Sequence, residues 1–407
     1  MVNVIGLGYI GLPTALMLSS HGIEVIGTDY NKKLVETLNN GRITFKEEGL
    51  EQLFSSAIKS GIRFKSQYQV TDTYIVSVPT PYDNRSKKID ARYVRLAVEQ
   101  ILKVCLKNSV IIIESTVSPG TIDRQIRPMI IESGFTIGSD IHVVHAPERI
   151  IPGNMIYELL HNNRTIGADD REIGEKIKCL YASFCQGEIT ITDIRTAEMT
   201  KIVENTFRDI NIAYANELAK ICRADNMDVY EIIRIANKHP RVNILSPGPG
   251  VGGHCISVDP WFLVGDYPGL ANIILAARKI NDSMPDFVLE RVYSIMHENE
   301  MTDISRVGFY GLTYKENVDD IRESPTLQML KSMKRHLCGN FVKVYDPFVN
   351  EDIVPNQIHN LDQFLSEVDL VVLLVAHREI IENMNKLRNK IILDTRKVCD
   401  LENVYRL

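Results

Sequence analysis

VNVIGLGYIGLPTALML, residues Val2 to Leu18, runs from a short apolar stretch through Gly6, Gly8 and Gly11 into an apolar segment of good helix formers. Strand, glycine turn and helix opening, in that order, make the G-x-G-x-x-G pattern, whose glycines allow a tight turn and close backbone approach to a pyrophosphate. Glycine triplets also arise as plain turns, so the neighbouring residues have to support the pattern. The second apolar run, VIGTDY, ends at Asp29, about where a carboxylate takes the ribose hydroxyls of a dinucleotide. An acid there repels a 2′-phosphate and favours NAD over NADP, with Lys32 and Lys33 pulling weakly the other way. Thr80 in VPTP and Thr116 in EST end later strands and face the same crevice, although loop polarity accounts for either taken singly.

Outward from that stretch, VNVIGLG, GIEVIGTD, TYIVSVPTP, NSVIIIEST and DIHVVHAPE read as buried strands separated by helix-length segments, which predicts βαβ units and a parallel sheet. From about Arg195 the pattern becomes one long helix, TAEMTKIVENTFRDINIAYANELAKICRADN, too long for a crossover. After Pro285 a further helix leads to DISRVGFYGL, and NFVKVYDPF, VDLVVLLVAH and NKIILDTRK restart the α/β alternation. The expected fold is α/β: two doubly wound parallel-sheet domains joined by a helical middle domain with a long helix, over 1–190, 191–295 and 296–407.

The 407 residues are 44% hydrophobic and 24% charged with net charge -6, which leaves room for two or three domains. That mildly acidic balance gives no reason to expect nucleic acid or a membrane surface as partner. No apolar run is long enough for a bilayer, and MVNVIG enters a strand pattern at once, so no cleavable leader is expected. Seven cysteines without framework spacing point to a reducing cytoplasm.

GPGVGGHCISVDP, Gly248 to Pro260, mounts Cys255 on a glycine-rich loop followed by Asp259 and Pro260. Cys105, Cys179 and Cys222 lie in helical patterns and read as small apolar packers; Cys185, Cys338 and Cys399 have no suggestive neighbourhood. A single hydride transfer needs no thiol. Oxidising an aldehyde further does, because a thiohemiacetal surrenders a second hydride and leaves a thioester. Without the NAD site, a buried structural cysteine would be the better reading. His254, Cys255 and Asp259 lack the paired ligands of a zinc site, so no metal is expected. On the long helix Lys201, Asn205 and Arg208 recur at i, i+4 and i+7, a stripe suited to a polar, anionic ligand, with Asn205 or Lys201 able to steady an alkoxide. Glu148 and Arg149 in HAPERIIPG, His239 and Arg241 in NKHPRVN, Lys315 and Arg322 in GLTYKENVDDIRES, and Arg396 in DTRK add charges at loop positions. Each is ordinarily a solvated charge; together the cations suit a diphosphate, and Glu148 could activate a water.

VIGLGYIGLPTA, ESTVSPGT, APERIIPG, RTAEMTKIVENTFRDINIAYANEL, HPRVNILSPGPGVGGHCISVDP and GLTYKENVDDIRESP resemble, in order and over almost the whole chain, the UDP-glucose/GDP-mannose dehydrogenase family. Within it NTFRDINIA, HPRVN and GGHC are most similar to members acting on UDP-N-acetyl-D-mannosamine, which make a uronic acid for bacterial capsules and related surface polysaccharides. The resemblance implies Rossmann-like sheets and a two-step oxidation at the sugar C6 with two NAD⁺ reduced. It implies Cys255 as nucleophile, Lys201 as acid/base, Asn205 and Asp259 in support, Glu148 for hydrolysis, and Thr116 in the catalytic set. It places Gly6, Gly8, Tyr9, Ile10, Gly11, Asp29, Lys33, Thr80, Thr116 and Arg322 on NAD. It places Arg149, Ile150, Lys201, Asn205, Arg208, His239, Arg241, Gly252, Gly253, Tyr314, Lys315 and Arg396 on the UDP-sugar. It also implies a homodimer through the middle helices, with the arginine of HPR a candidate for the partner's site.

Two departures stand out. Glu316 occupies a position where the family commonly has glycine, and the cysteine loop differs from the GFGGSC of UDP-glucose enzymes, which argues against glucose. UDP-N-acetylmannosamine ranks first, then the N-acetylglucosamine and N-acetylgalactosamine sugars, then UDP-glucose. The rivals are a one-hydride hydroxyacid-type dehydrogenase, indifferent to Cys255→Ser, and a nucleotide-sugar sensor that binds without turnover.

Overall fold

The computed structural model describes residues 1–336, 341–402 and 404–407, so Cys338 lies outside the described residues. The chain divides into two compact units, Met1–Glu204 and Asn205–Leu407.

The first unit holds an eight-stranded sheet: β1 (Val2–Ile5), β2 (Val25–Thr28), β3 (Arg63–Lys65), β4 (Thr73–Val76), β5 (Ser109–Ile113), β6 (Ile141–His145), β7 (Arg164–Ala168) and β8 (Ile189–Thr192). Their order is β3-β2-β1-β4-β5-β6-β7-β8, the doubly wound arrangement extended by two strands. All neighbours run parallel except β6 and β7, which pair antiparallel, a local exception to the expected parallel sheet. β3, β7 and β8 escape sequence reading because they are short or polar: RFK is exposed, buried, exposed, and RTIGA opens on an arginine.

Alternate residues of each central strand feed opposite faces. Val110 and Ile112 enter one core with Leu12, Leu16 and Phe54, while Ile111 and Ile113 enter the other with Val98 and Ile126. Full burial of such side chains stabilises by about 1.5–3 kcal/mol each, and it fixes the register that aligns the carboxyl ends of β1, β4 and β5.

The long helix, Ile194–Ala224, starts where Asp193 accepts from the Thr196 N–H at 2.9 Å. It stops at Asn226, whose φ of 53° breaks the helix.

The second unit contains helices Val229–Ala236, Asp259–Asp266, Asn272–Asp282 and Met284–Glu298, then a six-stranded parallel sheet. Its strands are β9 (Val307–Tyr310), β10 (Lys343–Tyr345), β11 (Gln357–Ile358), β12 (Leu370–Leu373), β13 (Ile391–Asp394) and β14 (Val404–Arg406), in the order β11-β10-β9-β12-β13-β14. Faces alternate again: Phe309 and Val372 pack on one side, Tyr310, Val371 and Leu373 on the other.

Candidate active site

In the first unit the glycine turn after β1 is built for a ligand. Gly6 has φ 89°, and a Cβ there would lie 2.4 Å from the Ser77 carbonyl; a Cβ on Gly11 would lie 1.9 Å from the Gly6 carbonyl. Both glycines are therefore needed by the fold itself. Gly8 is different: nothing lies within 4 Å of the space a Cβ would take, which leaves the backbone beside the Gly11–Ser20 helix N-terminus accessible. Asp29, buried at the end of β2, accepts from the Leu7 N–H at 2.8 Å and the Asn31 N–H at 2.8 Å, tying the turn to the second strand. Tyr9 and Ile10 are half-buried, Tyr9 against Phe45 at 4.4 Å between ring centroids; Lys33 is exposed, Thr80 buried and Thr116 half-buried. These residues fit a dinucleotide: open backbone donors at a helix start, and a carboxylate at the second strand's end.

Behind the turn lies a buried polar cluster that sequence reading missed. Glu114, the residue after β5, accepts from Ser77 at 2.5 Å, Tyr181 at 3.2 Å and Thr14 at 3.5 Å. Burial pushes its carboxyl up to about 7, the Glu148 charge adding to the effect and Arg164 opposing it. Arg164 stacks on Tyr181 at 4.4 Å and donates to Glu148. Glu148, predicted as a water-activating base, is thus buried and ion-paired. Arg149 is also engaged, by Glu204 at 2.7 Å, the Asn163 carbonyl at 2.9 Å and Thr165 at 2.8 Å, and Ile150 is buried. Lys201 contrasts with them: it is 5% exposed, and no hydrogen bond or ion pair engages its ammonium among the described residues. Nearby on the same helix, Glu198 accepts from the Gly120 and Ile122 N–H groups and so holds the loop that follows Thr116.

In the second unit the glycines around Cys255 are explained by contact. A Cβ on Gly252 would lie 2.5 Å from Tyr314 Cβ, and one on Gly253, whose φ is 83°, would lie 2.8 Å from the Tyr314 ring. The Gly253 N–H donates to the Arg322 carbonyl at 2.8 Å. Arg322, read from sequence as an NAD contact, pairs through its Nε–Nη2 edge with both Asp320 oxygens, at 2.9 and 2.6 Å. Burial lowers the Arg322 pKa, but Asp320 more than offsets that, with the Tyr314 and Cys255 charges adding, so it stays above the usual arginine range. Cys255 therefore lies within electrostatic reach of a fixed cation. Burial, with Arg322 second, depresses the His254 pKa and keeps its ring neutral.

Cys255 is half-buried, and its carbonyl accepts from the Asp259 N–H at 2.9 Å as the next helix begins. The Asp259 carboxylate accepts from Asn205 at 2.6 Å, both side chains being buried, so two of the predicted residues meet directly. Arg208, His239 and Arg241 are exposed. Arg396 donates to the Leu374 carbonyl at 2.7 Å and packs on Gly248, where a Cβ would be 3.0 Å from it. Glu316 is tolerated because the left-handed position of its loop falls on Asn317, with φ 58°.

Two expectations need correction. Cys179, on the Arg171–Tyr181 helix, faces solvent rather than packing, because it lies off the buried stripe of Gly174, Ile177 and Tyr181. Cys105 falls beyond the end of its helix, which closes at Leu102, although it packs against the apolar core as expected. Among the described residues, no group of three His, Cys, Asp or Glu side chains is placed to hold a metal ion, and no helix is long and apolar enough to cross a membrane.

A glycine turn at the carboxyl end of a doubly wound parallel sheet, with an acid closing the second strand, defines a dinucleotide-binding protein of the Rossmann class. Family models for UDP-glucose/GDP-mannose dehydrogenases match the chain three times: the NAD binding domain over residues 1–185, the central domain over 195–283 and the UDP binding domain over 308–404. The chain belongs to the UDP-glucose/GDP-mannose dehydrogenase family and is an NAD-dependent UDP-sugar dehydrogenase. It is 43% identical to a UDP-N-acetyl-D-mannosamine dehydrogenase of Methanococcus maripaludis, across 98% of this chain and 93% of that one. It is 40% identical to an NDP-N-acetyl-D-galactosaminuronic acid dehydrogenase of Ralstonia nicotianae, across 99% and 97%. Among solved structures, the native UDP-N-acetyl-mannosamine dehydrogenase Cap5O of Staphylococcus aureus superposes with a TM-score of 0.89 at 41% identity, covering 100% of this chain and 97% of that one.

Proposed function

We propose that the enzyme oxidises the C6 alcohol of a UDP-N-acetylhexosamine, UDP-N-acetyl-D-mannosamine first, to the uronic acid through a Cys255 thioester. The observation that carries this reading is the Cys255 loop, a half-buried cysteine whose preceding glycines pack on Tyr314, beside Arg322 and at the head of the Asp259 helix. Bound NAD⁺ supplies the chemistry of hydride acceptance, once for each two-electron oxidation. The first oxidation removes a hydride from C6 and the hydroxyl proton, giving an aldehyde. The Cys255 thiolate adds to that carbon, forming a C–S bond and an alkoxide. Loss of the second hydride leaves a thioester, and water cleaves the C–S bond to release carboxylate and restore the thiol. One alcohol, one water and two NAD⁺ thus become one carboxylate, two NADH and three protons.

Lys201 holds the alkoxide and moves its proton, the role for which its unpaired ammonium is suited. Asn205 and Asp259 orient water, and Glu148 is the candidate base for hydrolysis, which requires it to leave its pairing with Arg164, with Thr116 in the catalytic set. Tyr314, Lys315, Arg396, Arg208, His239, Arg241, Arg149, Ile150, Gly252 and Gly253 take the UDP-sugar. The division into 1–190, 191–295 and 296–407 belongs to the same proposal, as does a cytoplasmic location supplying NAD⁺, with the uronate destined for a surface polysaccharide. A relative named for N-acetylmannosamine at 43% identity, against one named for N-acetylgalactosaminuronic acid at 40%, supports the ranking of sugars.

A homodimer is part of the reading. Val203, Phe207, Tyr214 and Ile221 are exposed along the long helix at alternating four- and three-residue steps that pass through Ile210 and Glu217, an uncovered a/d seam. Phe207→Asp is expected to shift the sedimenting mass from dimer to monomer.

The central test incubates the enzyme with NAD⁺ and a panel of UDP-sugars and counts NADH against uronate. Two NADH per uronate are expected, with UDP-N-acetylmannosamine turned over fastest. Cys255→Ser is expected to make no uronate; a serine variant that still yields two NADH per sugar overturns the thioester.

A further inference from the structure

The loop that carries Cys255 is tied to the long helix by a chain of buried polar side chains. Asn216 accepts from the Gly248 N–H at 2.9 Å, and its amide donates to Asn281 at 2.8 Å. Asn281 donates in turn to the Asp209 carboxylate at 2.8 Å and to the Asp209 carbonyl at 3.0 Å. Arg278 donates to the same carboxylate at 2.6 Å and to the Ile256 carbonyl at 3.4 Å, the residue next to the nucleophile. Its other guanidinium nitrogen meets Asp282, and its centre lies 5.8 Å from the Trp261 ring. Asp209, Asn216 and Asn281 are 0% exposed and Arg278 is 2% exposed. Asn205, Asp209 and Asn216 recur at i, i+4 and i+11, one face of the long helix.

A chain of this kind is a poor device for stability. A buried ion pair loses its hydration, and apolar residues of equal volume often hold a fold as well or better. This pair is also incompletely satisfied: Asp209 Oδ2 and Arg278 Nε have no hydrogen-bond partner among the described residues. Apolar replacements, however, cannot hold the backbone at Gly248 and Ile256, on either side of Cys255, in a fixed register against the helix that presents Asn205.

We infer that Asp209, Arg278, Asn281 and Asn216 are positioning residues for the nucleophile loop, holding the Cys255 sulfur at a set distance from the Asn205–Asp259 pair. The inference rests on Cys255 acting as the nucleophile. None of the four has to touch the substrate; they act through the loop backbone.

The test is the double variant Asp209→Leu/Arg278→Met, with three readouts: thermal unfolding, steady-state kinetics, and the iodoacetamide alkylation rate measured on the Cys255 peptide by mass spectrometry. The melting temperature is expected to hold or rise. A misplacement of about an ångström costs about a hundredfold in rate, so kcat is expected to fall by about that factor while KM for the UDP-sugar moves less than about threefold. Alkylation of Cys255 is expected to quicken by about fivefold or more as the loop loosens. A folded double variant with kcat and alkylation both within about twofold of the parent overturns the inference. If the double variant does not fold, Asn216→Ala cuts the links to Gly248 and Asn281 and leaves the Asp209–Arg278 pair in place, and an unchanged kcat there overturns it equally. A Cys255→Ser enzyme that still makes uronate sinks the nucleophile instead, and the alkylation readout on the thiol-containing variants keeps the two failures apart.

Discussion

The carboxyl ends of the two sheets repeat one construction with opposite outcomes. In the first, the Gly6 N–H donates to the Thr28 carbonyl at 2.8 Å, Leu7 to Asp29 at 2.8 Å, and Asn31 to Asp29 at 2.8 Å. In the second, Gly311 donates to the Tyr345 carbonyl at 2.8 Å, Leu312 to Asp346 at 2.6 Å, and Phe348 to Asp346 at 2.8 Å. The third turn residue differs. Gly8 leaves open space, whereas Thr313 donates its hydroxyl to the Lys315 carbonyl at 2.9 Å and its N–H to Asp346 at 3.0 Å. His377 completes the closure: its Nδ1 accepts from the Asn317 N–H at 3.0 Å, and its Nε2 lies 3.2 Å from Asp346. One sheet end is left open to a dinucleotide. The other is filled by its own side chains and presents the Tyr314–Lys315 loop instead.

The strongest break in this comparison is Gly11→Ala. A Cβ at 1.9 Å from the Gly6 carbonyl cannot be relieved by rotating a side chain, so the first unit is expected to lose about 3 kcal/mol or more, seen as early loss of far-UV circular dichroism. The single tryptophan, Trp261, lies in the second unit, and its fluorescence there serves as the control.

Acid–base behaviour separates the units next. Burial lifts Glu114 and Glu198 up to about 7, so the folded first unit binds more protons than the unfolded chain between the ordinary carboxyl value of 4.5 and that point. Each costs stability as pH rises through this window, by up to about 3 kcal/mol for a shift of that size. His145, buried and pushed down to about 4, has the opposite sign and costs stability as pH falls below 6.5. Glu114→Gln is therefore expected to gain stability over the parent from pH 5 to about pH 7 and to level off above it in urea titrations. A constant difference between the two proteins would mean that the carboxyl is already ionised throughout. Asp346, although burial opposes it, is held below its ordinary value by His377 and backbone donors, so its contribution is lost only as pH falls below 3.8.

Asp346→Asn removes the charge that gathers three N–H groups and His377, at an expected cost of about 2 kcal/mol to the second unit. Asp29→Asn, with two donors, is expected to cost less, and the reverse ranking in thermal melts would undo the parallel drawn between the two ends. The mildest effect sharpens the comparison: Gly8→Thr copies the second turn into the first. Because nothing lies near that Cβ, melting is expected to stay unchanged while the NAD⁺ dissociation constant rises about tenfold, about 1.4 kcal/mol by calorimetry.

Much of the site could be read from sequence where the chemistry is local. Gly6, Gly11 and Asp29 stand at spacings dictated by one strand, one turn and one helix, and Cys255 stands out because its glycines have no place in a helix or strand. Glu114, Arg164, Asp209, Arg278, Asp346 and His377 could not be read that way. Each lies in an ordinary apolar or helical pattern, and has partners 16 to 100 residues distant, as Glu148 is from Arg164 and Thr14 from Glu114. Glu148 illustrates the limit: its strand-end position suggested a free base, and only burial revealed the arginine pairing.

The sequence by itself determined the strand–helix alternation, the dinucleotide turn and the thiol loop, because periodicity and glycine sterics act over neighbouring residues. Tertiary structure alone decided which carboxyls are protonated, which cations are already paired, and that one of two equivalent turns is open while the other is filled. Those outcomes depend on desolvation and on contacts between remote segments, neither of which is encoded at any one position.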